Sequence, residues 1–270
     1  MEKEILSMEE ASELFGVSVK TFIKLLKEEK VPARKIGREW RFSRKALIEW
    51  LSAGDSQTYS SSESEAKEFF NDVAHDWEDL RKNYYDESIK NKLMDLNLLK
   101  KGMTALDLGC GDGYIARTVA KYIKKVYAVD ISSEMLKELR KKAAQSGIKN
   151  IETIETEAQI VPLEAASVDI VFSNMFLHHM EDPEVAITEM GRVLKPGGIA
   201  VVSDFLPHSN NEMMKQMHDV WPGFNSAELE QWFVKKGFKD IQIETLKDEI
   251  NKASENKRLE IFILTASRTL

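Results

Sequence analysis

Two acids and three glycines are the residues best spaced to hold a ligand. In the run ALDLGCGDG, Ala105–Gly113, an apolar stretch ends at Asp107 and Leu108, and Gly109, Gly111 and Gly113 follow at alternate positions. Glycine admits positive φ and close backbone approach, so this reads as a strand running into a tight turn that opens a helix. Dinucleotide folds use the same geometry, and the glycines alone do not choose between ligands. Two features tilt the choice. The spacing departs from GxGxxG, with no glycine at Ile115 or Ala116 and Gly113 sitting early, and the strand closes on an acid. A carboxylate repels a neighbouring pyrophosphate but attracts a ligand ammonium. Asp130 ends the next apolar run, where a carboxylate can accept both hydroxyls of a ribose. That fixes a ribose without choosing the cofactor.

A second group of reactive side chains lies further on. Of the 5 histidines, His178 and His179 stand in NMFLHHMEDP, and His208 and His218 in SDFLPHSNNEMMKQMHDVWPGF, with Asp204, Asp219 and Trp221. Imidazoles near neutral pH could take a proton from a substrate, and His208, His218 and His179 are the candidate bases. With Asp204 or Asp219 they could instead hold a transition metal, but the spacing matches no standard metal motif and no metal is assigned. The single cysteine, Cys110, rules out an intrachain disulfide and a multi-cysteine metal site. It reads as a small residue tolerated within the glycine turn.

The elements that must position these residues alternate. Strands are expected at Thr104–Leu108, Lys125–Val129, Ile151–Glu155, Val168–Ser173 and Gly198–Asp204, with helices at Tyr114–Ala120, Ser133–Ala144 and Glu184–Val193 between them. Such alternation predicts a mostly parallel sheet covered on both faces. Four of the histidines then follow its fourth and fifth strands, at the carboxyl edge where open α/β sheets bind ligands. A helix over Ala227–Lys236 precedes strands at Phe238–Glu244 and Leu259–Ser267, which could form an antiparallel edge pair. Helical patterns at Glu65–Asp79 and Asn91–Leu99 lead into the sheet.

The first 51 residues follow another plan. Ser7 caps a helix with Glu10 completing a capping box, and Gly16 permits a turn. A helix runs from Val19 to about Glu29, a hairpin spans Ala33–Phe42 around Gly37–Arg38, and a third helix starts at Ser43. Helices with a two-stranded wing make a winged helix-turn-helix. Residues 52–64, SAGDSQTYSSSES, are small and polar and mark the linker to a second domain at 65–270.

Charge separates the two parts. Residues 1–50 carry 11 Lys/Arg and 9 Asp/Glu; the remainder carries 27 and 36, summing to the net charge of -7. The acidic larger part is a poor general nucleic-acid binder. No apolar run is long enough to span a bilayer, and the first residues have no apolar core of a signal peptide, so a cytoplasmic location without membrane contact is expected.

Two resemblances sharpen these expectations. SMEEASELFGVSVKTFIKLLKEEKVPARKIGREWRFSRKALIEWL resembles the excisionase-like, MerR-type DNA-binding domains. That implies contacts to double-stranded DNA by Lys20, Thr21 and Lys24 on the second helix and by Arg34, Lys35, Arg38 and Arg41 on the hairpin, with dimerisation to strengthen binding. LDLGCGDGYIARTVAKYIKKVYAVDISSEMLKELRKKA, continuing through EAQIVPLEAASVDIVFSNMFLHHMEDPEVAITEMGRVLKPGG, resembles the class I S-adenosylmethionine methyltransferases, in particular the ubiquinone and menaquinone branch.

The second resemblance implies a Rossmann-like class I methyltransferase sheet with helices on both faces, behind the small winged domain. It implies S-adenosylmethionine as cofactor, held by Asp107, Gly109 and Gly111 around the methionine part and by Asp130 on the ribose. Ile131 would pack on the adenine, Glu157 and the Ala158 backbone would meet its nitrogens, and Asn174 would line the methionine pocket. Trp77, Tyr84, Tyr85 and Trp221 would cover a small-molecule acceptor. The reaction implied is direct displacement at the sulfonium methyl, with no protein nucleophile. A cofactor-sensing regulator without turnover, a nucleic-acid methyltransferase and, weakest, a dehydrogenase stand as alternatives. The chain reads SNMF at Asn174, without an NPPY-type motif.

Overall fold

A computed structural model describes residues 3–28, 31–37, 39–53, 61–82, 84–85, 87–246 and 259–269. Its contacts divide the chain into two units, Met1–Ser61 and Ser62–Leu270.

The first unit holds β1 (Ile5–Leu6), α1 (Met8–Leu14), α2 (Val19–Glu28), β2 (Arg34–Ile36), β3 (Glu39–Ser43) and α3 (Arg44–Ala53). Ser7 caps α1: its side chain accepts from the Glu10 amide while the Glu10 carboxylate accepts from the Ser7 amide, so two amides at the helix start are satisfied reciprocally. Ser18 Oγ accepts from the Thr21 amide at the start of α2. Strand β1 had no signal in the sequence. It is two residues long and pairs antiparallel with β3, which also pairs with β2 in the hairpin. Leu6, Ala11, Phe22, Val31, Phe42 and Leu47 are buried together, with Phe22 set edge-on to Phe42 at 5.2 Å.

The second unit begins with α4 (Ser61–Val73), α5 (Trp77–Arg81) and α6 (Ser88–Asp95). Helix α3 thus extends to Ala53 and α4 starts at Ser61, inside the stretch read from sequence as linker. The single helix expected over Glu65–Asp79 is broken between α4 and α5. The alternation follows: β4 (Thr104–Leu108), α7 (Tyr114–Val119), β5 (Lys125–Asp130), α8 (Ser133–Gln145), β6 (Ile151–Glu155), β7 (Val168–Asn174), a 3-10 turn (Leu177–His179), α9 (Pro183–Val193) and β8 (Leu194–Phe205). Then come α10 (Asn211–Met217), α11 (Ser226–Lys235), β9 (Phe238–Leu246) and β10 (Ile261–Arg268).

The sheet order is β6-β5-β4-β7-β8-β10-β9, parallel from β6 to β8. Strand β10 enters antiparallel between β8 and β9, so the final pair does close the edge, with the last strand inside it. Apolar clusters cover both faces. One includes Ile115, Leu136, Ile170 and Ile263; the other includes Leu106, Val171, Ile187 and Phe262. Strand order reverses between β4 and β7, so their carboxyl ends flank the crevice in which such sheets bind ligands. Among the described residues no helix is long and apolar enough to cross a membrane.

The first unit's small core makes each of its large side chains count. Phe22→Ala removes a fully buried ring and is expected to cost the unit about 3–5 kcal/mol. Thermal unfolding followed by circular dichroism and calorimetry should show an early transition in the variant; an unchanged profile would contradict the packing described.

Candidate functional site

The turn after β4 is tied to β5 by its own backbone. The amides of Gly109 and Cys110 both donate to Val129 O at 2.9 Å, and the Gly111 amide donates to Asp130 Oδ2 at 2.7 Å. Asp130 Oδ1 accepts from the Ser132 amide at 2.9 Å, which places the carboxylate at the mouth of the turn. Gly109 has φ 69° and faces Phe176 so closely that an added Cβ would lie 2.1 Å from the ring. Gly113, at φ 84°, caps the start of α7 and leaves 2.6 Å between such a Cβ and Leu139. Side chains at either position would displace the wall opposite.

Asp107 sits at the floor of this turn, 1% exposed. Its Oδ2 accepts from the Ala116 amide at 2.8 Å, and its Oδ1 is buried with no hydrogen-bond partner among the described residues. Burial pushes the carboxyl up to about 7, aided by the nearby charges of Asp130 and Asp112 and opposed by the Ala116 amide. Burial likewise raises Asp130 and drives the Cys110 thiol upward, so the cysteine stays protonated.

Asp107, Gly109, Gly111, Asp130, Ile131, Glu157, Ala158 and Asn174 line a single pocket of about 1030 Å³. Asn174 is held there by Ser203, whose hydroxyl contacts Asn174 Oδ1 at 2.7 Å. A second cavity of about 300 Å³ is lined by Tyr84, His178, Phe205, Met213, Met217 and Asp219, and it shares Trp77, Tyr85, Met175 and His179 with the first. The two are therefore neighbours, with His179 and Tyr85 in the wall between them. Tyr85 is buried, which raises its hydroxyl's pKa.

His208, His218 and Trp221 line neither of these two cavities. His208 packs edge-on against Phe205 at 5.4 Å, its Nδ1 accepts from the Asn210 amide, and burial lowers its pKa. His218 ends α10 in the left-handed region at φ 56° and lays its ring on Phe69, at 5.0 Å. Trp221 stacks with Phe224 and donates from Nε1 to Met180 O at 2.8 Å, a structural role in the apolar core.

The structure brings together His178, His179, Asp204 and Asp219, already noted in the sequence, and adds Arg81, which the sequence did not single out. His178 is buried; its Nδ1 is 2.6 Å from Asp204 Oδ1, and Nε2 is 3.5 Å from Asp219 Oδ1. Its pKa is raised: burial, the largest influence, lowers it, but the charges of Asp204 and Asp219 outweigh burial. His179 Nδ1 is 3.4 Å from the same Asp219 oxygen, and burial holds this ring well below the ordinary histidine range, neutral. Arg81, 3% exposed, lies over the Tyr114 ring at 4.0 Å and the Tyr85 ring at 5.0 Å and so fixes the wall of both cavities. A buried arginine sandwiched by tyrosines has no periodic signal, because the rings come from different segments.

On the first unit, Lys20, Thr21, Lys24, Arg34 and Lys35 are exposed, as the wing-and-helix reading requires of DNA-facing residues. Thr21 Oγ1 contacts Ser18 Oγ at 2.7 Å, and Arg41 pairs with Glu39, so both already have local partners. Arg38 lies outside the described residues.

Comparison with known proteins agrees with these two architectures. Residues 106–202 match the model of a methyltransferase domain, and residues 5–55 that of a helix-turn-helix domain. The chain is 36% identical over 107 residues to an uncharacterized methyltransferase of Mycobacterium bovis, matching 39% of this chain and 53% of that protein. It is 25% identical over 191 residues to a ubiquinone biosynthesis O-methyltransferase of Coxiella burnetii, covering 64% of this chain and 81% of the relative. A solved S-adenosylmethionine-dependent methyltransferase of Thermotoga maritima superposes with a TM-score of 0.60 at 20% identity, over 76% of this chain and all of that one, a likeness of fold. The match thus spans about half the length of the Mycobacterium relative. The larger unit has the Rossmann-like fold of the class I methyltransferases and follows an N-terminal helix-turn-helix domain in the chain.

Asp107 gives this site a measurable signature. Its folded pKa lies above its unfolded one, so its contribution to stability is fully present at low pH and is lost as pH rises through about 7. Asp107→Asn keeps an acceptor for the Ala116 amide and removes the titration. Its stability relative to the parent should rise between about pH 4 and about pH 8, by about 4 kcal/mol at most. Parallel denaturant titrations with the same pH slope in both proteins would refute the buried, protonated carboxyl.

Proposed function

We propose that the chain transfers a methyl group from S-adenosylmethionine to a small-molecule acceptor, and that its first unit binds double-stranded DNA. The observation that carries this reading is the buried, unpartnered Oδ1 of Asp107, facing a pocket that also receives Asp130 and adjoins a second, aromatic cavity.

The residues present fit the cofactor. An ammonium at Asp107 supplies the donor that Oδ1 lacks and draws the carboxyl into its ionised form. Gly109 and Gly111 keep side chains out of the turn that the methionine portion must approach. Both Asp130 oxygens already hold backbone amides, and each retains a lone pair for a ribose hydroxyl. Ile131 offers an apolar face to adenine, with Glu157 and the Ala158 backbone at its polar edge. When bound, S-adenosylmethionine supplies an electrophilic methyl group that needs no protein nucleophile.

The chain's own contribution is to align and desolvate. Tyr85, Met175 and His179, shared by both cavities, lie where the two ligands would meet. Met213, Met217, Phe205 and Tyr84 make the second cavity apolar and suit a flat, largely apolar acceptor carrying an oxygen or nitrogen nucleophile. The neutral imidazole of His179 gives that nucleophile's proton an acceptor. The ubiquinone O-methyltransferase relative supports an acceptor of the quinol or phenol class.

For the first unit we assign the DNA-facing surface to Lys20, Thr21 and Lys24 on α2 and to Arg34, Lys35, Arg38 and Arg41 on the hairpin, with two copies of the chain engaging paired half-sites.

Calorimetric titration with S-adenosylmethionine tests the enzyme reading first. Micromolar binding is expected, weakened at least about tenfold by Asp130→Asn, a loss of about 1.4 kcal/mol. Affinity should also rise with pH through about 7 in the parent, as Asp107 ionises, and lose that dependence in Asp107→Asn. No binding by the folded parent would refute it. For the first unit, Lys20→Ala should weaken binding to mixed-sequence duplex DNA and reduce the salt slope by about one, read by fluorescence anisotropy. An unchanged slope would remove Lys20 from the interface.

A further inference from the structure

The second cavity, at the wall it shares with the first through His179, contains an arrangement that methyl transfer by alignment alone does not require. One ring nitrogen each of His178 and His179 and a carboxylate oxygen of Asp219 all lie within 4.8 Å of one another. Both oxygens of Asp219 and Nδ1 of His179 are buried and have no hydrogen-bond partner among the described residues. The Asp219 side chain is only 1% exposed. A carboxylate buried without donors is costly, and its presence calls for a counter-charge.

We propose that His178, His179 and Asp219 bind a divalent transition-metal ion of the zinc class, with a fourth position open to the second cavity. The distances fit. Zinc lies about 2.0–2.1 Å from imidazole nitrogen and carboxylate oxygen, so neighbouring ligand atoms of a tetrahedron stand about 3.3–3.4 Å apart. The separations from Asp219 Oδ1 are 3.5 Å to His178 Nε2 and 3.4 Å to His179 Nδ1. These are edges of a coordination polyhedron and are long for charge-assisted hydrogen bonds.

The surroundings hold the ligands in a binding tautomer. His178 turns Nδ1 to Asp204 Oδ1 at 2.6 Å, and Asp204 is itself fixed by the amides of Phe205 and His178. A carboxylate on the outer nitrogen leaves Nε2 as the lone pair facing inward. The two segments are clipped by backbone: the amides of Val220 and Trp221 both donate to His178 O at 2.9 Å. Asp219 is thereby brought to the histidines by main-chain bonds that do not involve its carboxylate. Two imidazoles and one carboxylate with an open position are the donor set of a catalytic zinc site.

The role of the open position rests on the acceptor reading above. There the ion would take an acceptor oxygen as its fourth ligand and hold it beside the cofactor pocket. This would place His179 on the metal and give the task of polarising the acceptor to the ion.

The test uses the full chain, treated with chelator and titrated with Zn²⁺ by calorimetry and with Co²⁺ by visible absorption. One equivalent should bind, with the intense bands of tetrahedral cobalt. Asp219→Asn and His179→Gln should each weaken binding at least tenfold, and Asp204→Asn should weaken it about 10–100-fold. His75→Ala, at an exposed histidine, should leave it unchanged. Azide should shift the cobalt spectrum by entering the open position. Absence of binding by the parent, or equal binding by Asp219→Asn and His179→Gln variants that keep the parent's circular dichroism, would overturn the site. An unshifted spectrum with azide would overturn the open position. Cofactor titration of the same metal-free samples separates the two readings: S-adenosylmethionine binding without metal binding would sink only the metal site, and the reverse would sink only the methyltransferase.

Discussion

The larger unit depends on how one turn is fastened to one strand. Val129 O receives the amides of both Gly109 and Cys110, and Asp130 receives the amide of Gly111. These three bonds bend the backbone after β4 sharply against the end of β5. They also settle where α7 can start, since Gly113 must take a left-handed conformation for the helix to follow. A chain that satisfies its amides this way leaves the turn concave and free of side chains. The crevice is therefore a consequence of backbone hydrogen bonding, and the acids at its rim come with the strands that end there.

Burying those acids has an electrostatic cost. Asp107 and Asp130 both have raised carboxyl pKa values because each is shielded from water, and Asp107 is held by a single amide. Full satisfaction of Asp107 Oδ1 inside the protein would remove the penalty and also remove the site. The structure instead leaves one oxygen available, so a cation in the pocket relieves what folding imposed. The same logic recurs across the wall of Tyr85 and His179, where Asp219 is buried without donors between two imidazoles. Two adjacent cavities thus each contain a carboxylate oxygen that lacks a hydrogen-bond partner among the described residues.

The first unit solves a different problem. Its apolar core is small, and it relies on a capping box, a short antiparallel strand pair and the Phe22–Phe42 contact to define one geometry. That leaves Lys20, Thr21 and Lys24 of α2 and Arg34 and Lys35 of the hairpin exposed at its surface. Charge alone would not have identified them, because acids nearly balance bases over the first 50 residues.

The sequence by itself determined the elements whose signals are local. The strand-turn-helix at Ala105–Gly113, the alternation that follows it and the capping box at Ser7 are all set by neighbours a few positions apart. Periodicity and turn chemistry are local properties, so they are legible in a linear string. The break between α4 and α5, strand β1, and the insertion of β10 between β8 and β9 depend on partners far along the chain. So does the separation of the histidines. His208 and His218 share a segment with Asp219, yet their rings pack on Phe205 and Phe69, while Asp219 meets His178 and His179 from another segment. Which side of a loop faces a cavity is fixed by what the loop packs against, and only the tertiary structure brings those surfaces together.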